Sequence, residues 1–537
     1  MLKRAISQSN VLILSAGGMI GASWLFSPYI SAKIAGPYAL IAWFIISIFM
    51  FFIALPLCEL GTIFPMAGGL INYPNITHGR GFGFLFSWTS WLAYVVCAPI
   101  EVQAVMQYAS HFFPQLVDNT QAGLHLSHFG LIVAIALMCL LSFINCFGVR
   151  FFAKCNTVVS VFKFLVPTLT IVAFLTVAPS FTHHLEFHQL ARADWQHVFS
   201  TLSFGGVAFA FTGFQNGLLM AGELEHPEKS IPYSLLGAVL IGFLIYTSLQ
   251  WSFIVAMPDT MLANGGWEHL RFKGDSAPLV GLAVMLGLGG IASLLMIDAC
   301  VSPLGTTLVY SAATARILYA MGMNHELPRA VSRLNRYKVP VVALFLNLGV
   351  GALSFLPFSG WQAMVAFLSS CSILSYLIGP ICLMSIRHYR HDLDGGFRLK
   401  AHKTICFIGF YAGMLMLLWC GFGILWKLCM AIVTGIVLHI VADRRALVYK
   451  NWLMWFFAFA VLMLSVAYLS SYGGIGWLLF PFDLLAMLPI SYGLLHLSIK
   501  LAIKKRIVNP PGYALAHLHT RAMIKPQIIV GLQAQKG

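Results

Sequence analysis

Apolar runs of about 20 residues, separated by short polar or basic connections, recur along almost the whole of this chain. In lipid such a run has one simple solution. A helix satisfies each backbone N–H and C=O inside its own segment, which an open sheet or a loop cannot do. About fourteen runs are legible, at approximately 8–33, 38–62, 82–112, 127–148, 156–178, 199–222, 233–257, 278–320, 340–357, 361–386, 404–422, 424–442, 451–471 and 475–498. The 278–320 run is too long for one crossing, so it is expected to tilt and to continue past the bilayer. The pair 404–442 reads as a tight hairpin split near Gly421 and Gly423. Composition agrees with this reading. Of 537 residues, 59% are hydrophobic and 9% charged, against roughly 25% charged in soluble domains. An all-α polytopic membrane protein is predicted. The first run is too long for a cleaved signal peptide and leads straight into "IAGPYALIAW".

The net charge of +15 would suit nucleic acid, but its distribution does not. With Lys3 and Arg4 placed in the cytoplasm, about 26 of the 32 Lys and Arg fall in cytoplasmic segments, as the positive-inside rule requires. The densest patches are Arg329, Arg333, Arg336 and Lys338; Arg387, Arg390, Arg398, Lys400 and Lys403; and Arg444, Arg445 and Lys450. Anionic lipid of the inner leaflet is their expected partner. Both termini are placed in the cytoplasm and the protein in the inner or plasma membrane. The eleven cysteines are scattered, without the spacing of a disulfide framework or a zinc site. "NIT" at 75–77 matches a glycosylation sequon but falls on the cytoplasmic side.

Two runs are interrupted by glycine. The first carries Gly17, Gly18, Gly21 and then Ser23; the second has Thr212-Gly213-Phe214 at the opening of the sixth run. Glycine weakens a helix through its backbone entropy. A break in hydrocarbon survives only where protein or a water-filled cavity covers it. Each break opens a set of five runs, 1–5 and 6–10, as in an inverted five-plus-five repeat, although the halves share no detectable residue identity. Paired breaks of this kind point to a transporter site. Freed N–H groups at the start of a half-helix suit a carboxylate, and freed carbonyls suit an ammonium. A free α-amino acid presents both. The competing reading is helix packing, since Gly17 and Gly21 also form a GxxxG pair.

The motifs "GGMIGASWLFSP", "AGPYALIAW", "CELGTIFPMAGG", "FTGFQNGLLMAGELEHPEKSIP" and "VSPLGTTLVYSAATARILYAMGMNHELP" follow in this order over most of residues 8–390. In these the chain resembles the amino acid–polyamine–organocation permeases. Ser23-Trp24-Leu25-Phe26 and Gln215 are most similar to the branch of bacterial aspartate–proton symporters. The resemblance implies a LeuT-type fold with the first and sixth helices unwound around substrate. Residues 1–390 would form the transporter core, 391–500 four additional spans, and 501–537 a basic cytoplasmic tail. The implied substrate contacts are Met19, Ile20, Gly21, Ala22 and Ser23 at the first break, and Thr212, Gly213, Phe214 and Gln215 at the second. Phe209 and Phe214 would lie near the roof of the site and Tyr310 near its floor. Two departures stand out. The first break has Gly21-Ala22-Ser23 where Gly-Ser-Gly or Gly-Ala-Gly is frequent in the family. Gln215 stands where a glutamate is common, so a mechanism needing a carboxylate there is in doubt.

Charge inside a span is costly and functional by default, and three such residues stand out. Lys163 sits about two turns into the fifth run, ~12 Å from its start. Snorkelling could return its amine to the membrane edge. The resemblance instead implies an ammonium facing the first break, bridging first-helix carbonyls and hydroxyls such as Ser302 or Thr306. It would exchange its proton during transport. Glu101 belongs to a helical stripe with Tyr94, Ala98, Ala104 and Tyr108. It is either a selector or second proton site, or a carboxylate paired to a neighbouring helix. Asp298 is a lesser candidate. His183, His184, His188 and His197 crowd one external loop; inert loop histidines are expected there rather than a metal site. Glu223, Glu225 and Glu228 suit a structural or gating ion-pair role.

The leading expectation is a secondary transporter that imports an amino acid by proton symport, with acidic amino acids among the candidates. An exchanger and a transporter-like nutrient sensor remain as alternatives. A divalent-metal transporter would need Asp or Asn at the first break, and an intramembrane hydrolase would need convergent His, Asp or Ser. Neither pattern is present, so no enzyme, cofactor or metal is expected. No phosphate-binding loop for ATP is present either. The oligomeric state and the particular amino acid are not legible.

Overall fold

The computed structural model describes residues 6–66, 68–120, 123–146, 149–178, 194–263, 265–272, 277–324, 326–337, 339–356, 358, 360–442 and 451–508. His183, His184, His188, Lys338, Arg444, Arg445, Lys450 and residues 509–537 of the basic tail lie outside the described residues.

The helices are α1 (Gln8–Met19), α2 (Ser23–Ala35), α3 (Ala39–Ile63), α4 (Asn72–Thr77), α5 (Arg80–Ala109), α6 (His128–Asn145) and α7 (Val149–Val177). They continue with α8 (Trp195–Phe204), α9 (Val207–Ala210), α10 (Asn216–Leu219), α11 (Pro227–Val255), α12 (Asp259–Leu262), α13 (Pro278–Met285) and α14 (Gly289–Met323). The remainder are α15 (Val341–Leu353), α16 (Gly360–Tyr376), α17 (Ile378–Tyr389), α18 (His402–Leu418), α19 (Phe422–Ala442), α20 (Asn451–Leu469), α21 (Phe482–Leu501) and α22 (Lys504–Val508). A short antiparallel hairpin, β1 (Val117–Thr120) with β2 (Gly123–Leu126), joins α5 to α6. Among the described residues ten helical segments are long and apolar enough to cross a membrane, and Val341–Leu353 and His402–Leu418 are shorter apolar helices. The chain is an integral multi-pass membrane protein.

Local signals set several helix starts. Ser7 caps α1 by accepting from Asn10 N, Ser127 caps α6 by accepting from Gly130 N, and Asp194 caps α8 through Gln196 N and His197 N. The long 278–320 run is two helices. The chain turns at Gly287, with φ +73°, between α13 and α14. The 35 residues of α14 span roughly 52 Å, longer than the ~30 Å hydrocarbon core that one upright crossing needs.

Burial separates the helices into a centre and a rim. Residues Phe82 to Tyr108 of α5 are buried without exception, and α14 and α16 pack along this helix. The predicted stripe on α5 is therefore one side of a helix that is covered on every side. Rim helices expose apolar side chains such as Ile132, Val172 and Tyr492, which suits a bilayer solvent. Helices beyond residue 390 pack on the rest of the bundle. Trp419 stacks on Phe199 of α8 with ring centroids 4.3 Å apart. At the opposite face of the bundle, His78 Nε2 lies 2.9 Å from Ser498 O, Ile503 N donates to Thr77 O (2.9 Å) and Arg506 Nη1 donates to Asn75 O (3.1 Å).

That face also carries a buried ion pair. Glu59 ends α3 and Arg387 ends α17, and both are almost fully buried. Arg387 Nε donates to Glu59 Oε1 at 2.7 Å, Arg387 Nη2 donates to the same oxygen, and Leu399 N donates to Glu59 Oε2 at 2.8 Å. Arg387 Nη1 donates to Leu393 O (2.8 Å) and so holds the 390–399 connection against the bundle. Removing one partner strands a charge, at a cost of about 3–5 kcal/mol. Arg387→Met is expected to lower the melting temperature in detergent, and the double variant Glu59→Gln/Arg387→Met to regain most of the loss. Equal melting of Arg387→Met and wild type would show that the pair contributes nothing.

Candidate functional site

Both interruptions are present, and they touch. Helix α1 ends where Ile20 takes an extended conformation, and α2 restarts at Ser23. The sixth run is split twice, at Gly205-Gly206 between α8 and α9, and over 211–215 between α9 and α10. Gly213 has φ +118°, and a Cβ there would lie 2.6 Å from Gly18 C and O. The two breaks are therefore in backbone contact at a position that accepts glycine alone. Of the GxxxG pair, Gly17 does face a helix, with a Cβ there meeting Ser160 and Phe164 of α7 at ordinary contact distance, whereas Gly21 and the intervening Gly18 make room for polar side chains. A Cβ on Gly18 would strike Asn216 Nδ2, and one on Gly21 would strike the Glu101 carboxylate.

Freed backbone groups are partnered by side chains from four other helices. At the first break, Tyr246 Oη of α11 donates to Met19 O (2.9 Å) and sits 3.3 Å from Ser23 Oγ. Its ring stacks on Trp43, whose Nε1 donates to Gln250 Oε1 (3.0 Å). Tyr310 Oη of α14 lies 3.3 Å from both Gly18 O and Thr212 O, so one hydroxyl touches both breaks. At the second break Gln215 folds back on the chain: its Oε1 accepts from Gly213 N (3.0 Å) and from Tyr376 Oη (3.1 Å), while its Nε2 donates to Tyr94 Oη (2.9 Å). Tyr94 Oη in turn donates to Asn216 Oδ1 (3.1 Å), and Ser15 Oγ accepts from Gly217 N (3.0 Å).

The intramembrane charges converge on the first break. Lys163 Nζ, 2% exposed, donates to Gly17 O (2.9 Å) and to Thr306 Oγ1 (2.7 Å). The amine does not snorkel. It ties α1 to α14 through α7, and Thr306 rather than Ser302 receives it. Glu101 Oε2 accepts from Ala22 N at 2.8 Å, the amide at the start of α2. Asp298 Oδ1 accepts from Ser302 Oγ (2.7 Å), and its Oδ2 has no hydrogen-bond partner among the described residues. One ammonium thus stands in the field of two buried carboxylates. Phe214 packs edge-on to Tyr376 and Phe209 edge-on to Trp361, with Trp361 also against Phe26. His197 falls in the first turn of α8 rather than in a loop, 2.7 Å from Asp194 and half exposed. Among the described residues no group of three or more His, Cys, Asp or Glu could hold a metal ion.

Tyr246, Asn216 and Tyr376 were not singled out in the sequence, although each contacts a break or a residue bound to one. The available signal was polarity: Tyr246 and Gln250 stand one turn apart in an otherwise apolar run, where an unpartnered polar group would be expensive.

Fold and site together define a class of protein: a helical, multi-pass membrane carrier built around two interrupted helices, with a buried lysine bound to the first of them. The sequence model described as amino acid permease matches residues 6–465. The glutamate/serine transporter AimA of Bacillus subtilis is 32% identical over 99% of this chain and 98% of its own length. The aspartate-proton symporter of the same organism is 32% identical over 90% of this chain and 94% of its own. The lysine-specific permease LysP of Escherichia coli is 23% identical over 75% of this chain and 80% of its own. The chain belongs to the amino acid permease family, within the amino acid–polyamine–organocation superfamily.

Proposed function

We propose that this protein imports a free amino acid across the inner or plasma membrane together with a proton. The observation that carries the reading is the junction of the two breaks, with Lys163 bridging Gly17 O and Thr306 Oγ1 beside it. The relatives at 32% identity are named for glutamate and serine transport and for aspartate–proton symport, which supports an amino acid as cargo and a proton as coupling ion. In this reading fourteen spans cross the membrane with both termini in the cytoplasm. Residues 1–390 form a LeuT-type core of two inverted five-helix repeats, and the four further spans of 391–500 buttress it. The basic patches of the cytoplasmic face meet anionic lipid.

Substrate would bind where α1 gives way to α2 and α9 to α10, against Met19, Ile20, Gly21, Ala22, Ser23, Phe209, Thr212, Gly213, Phe214, Gln215 and Tyr310. Carbonyls at the breaks suit the ammonium of an amino acid. The amide of Ala22 suits its carboxylate, but Glu101 occupies that amide in this structure. The side chain of Glu101 therefore stands in for a substrate carboxylate and must move or take up a proton when one arrives. This makes Glu101 the second proton group, with Asp298 a lesser one.

The reading is tested by uptake of a panel of labelled amino acids into proteoliposomes, with and without an inward proton gradient. Accumulation of one or more amino acids that rises with the gradient is expected. Counterflow without gradient-driven accumulation would make the protein an exchanger. Binding without flux would make it a sensor. Glu101→Gln keeps an oxygen for Ala22 N while removing the charge, so it is expected to shift the ratio of acidic to neutral uptake severalfold in favour of acidic substrates. An identical profile across the panel would leave Glu101 as a helix cap only.

A further inference from the structure

Beyond the second break the bundle holds a cavity of about 600 Å3, within the ~300–1,000 Å3 range of small-molecule pockets. Leu219, Met220 and Glu223 form one wall; Ala313, Arg316 and Ala320 of α14 form another. It begins where α10 ends, and Arg316 lies six residues past Tyr310, about 9 Å farther along α14.

Two opposite charges face the cavity without engaging each other. Arg316 is exposed to it while its neighbours Ala315 and Ile317 are buried. Neither Arg316 nor Glu223 makes a side-chain hydrogen bond or ion pair among the described residues, although each lies in the other's field. Charges within a membrane bundle are costly to keep unless something uses them. A guanidinium presents a planar pair of donors that matches a carboxylate, and a carboxylate receives an ammonium. The two are not in ion-pair contact, so each is open to the opposite charge of a ligand carrying both groups.

We propose that Arg316 and Glu223 form a second amino-acid subsite in this cavity, in which Arg316 takes the α-carboxylate and Glu223 the α-ammonium. The subsite accepts zwitterions irrespective of their side chain, since apart from these two charges the surrounding wall is uncharged and mostly apolar. It receives substrate after release from the breaks and is the place where amino acid accumulated on that side binds back. The ligand class rests on the transport reading above; the site itself rests on the cavity and its two charges.

The test places a cysteine at Ala313 and follows its alkylation by a maleimide, read by mass spectrometry of the peptide containing position 313. L-serine and L-glutamate are expected to protect the thiol, while succinate and ethanolamine, each lacking one of the two groups, are not. Arg316→Gln and, independently, Glu223→Gln should raise the amino-acid concentration needed for half-protection about tenfold or more. Arg316→Lys should retain part of the protection. Protection should persist in Gly213→Leu protein, which has no site at the breaks. Protection that vanishes in Gly213→Leu protein reports closure of the breaks and overturns the subsite. So does protection unaffected by both charge variants, or equal protection by succinate. Absence of uptake of any amino acid by the wild type would instead remove the transport reading, and the two failures are thereby told apart.

Discussion

Gly213→Leu protein is expected to insert and purify as the wild type does, to lose substrate binding at the breaks and to carry nothing. The expectation follows from two independent constraints at one position. With φ at +118°, any residue with a Cβ is strained there by about 1–3 kcal/mol. The Cβ itself would lie 2.6 Å from Gly18 C and O and 2.9 Å from Tyr310 Oη. Neither the peptide of Gly18 nor the buried Tyr310 can retreat without separating the two breaks. Uptake should fall to the background of empty liposomes, and the binding of labelled substrate that remains should be lost when Arg316→Gln is added to Gly213→Leu. Gly213→Ala meets the same clash with a smaller side chain, so its uptake should be intermediate. Monodisperse elution and a normal far-ultraviolet spectrum distinguish loss of the site from loss of the fold. Normal uptake by well-folded Gly213→Leu protein would place the transport site elsewhere.

Removal of Lys163 should have an effect of similar size but of a different kind. Its ammonium makes two charge-assisted hydrogen bonds, to Gly17 O and Thr306 Oγ1. Such bonds are roughly twice as strong as neutral ones. Protonation of this amine therefore favours the arrangement in which α1 is held to α14, and loss of the proton loosens it. Lys163→Ala has no proton to exchange at this point. Uptake by that variant should be the same with and without a proton gradient, while exchange of internal for external substrate continues. Persistent gradient dependence in Lys163→Ala would transfer coupling to Glu101 or Asp298, the other two buried charges near the break. The same assay repeated on Glu101→Gln and Asp298→Asn would say which.

Most of the helical layout is legible before any coordinates. Each apolar run coincides with one or more helices, because the backbone demand of a lipid environment is met segment by segment. Even the interruptions are visible, since glycine weakens a helix wherever it stands. What the sequence could not supply at the site is rotation and depth. The stripe on α5 illustrates the difficulty. Tyr94, Glu101 and Tyr108 reach Gln215, Ala22 N and Leu25 O respectively, yet the helix is buried all round. No amphipathic signal marks which face meets the breaks. Gln215 shows the same limit from the other side. Its departure from a carboxylate reads as a missing proton group, whereas its amide closes a hydrogen-bonded ring with Gly213 N, Tyr376 and Tyr94.

Local physics therefore decided the membrane class, the placing of the helices and the two points at which helix 1 and helix 6 give way. Those properties depend on residues within a turn or two of each other. Tertiary structure alone decided that the breaks touch, that Lys163 meets a carbonyl 146 residues away, and that Glu101 takes the amide of Ala22 from 79 residues away. Contacts of that kind depend on how each helix is turned and how deep it sits. Packing of the whole bundle sets those two quantities, and no single segment encodes them.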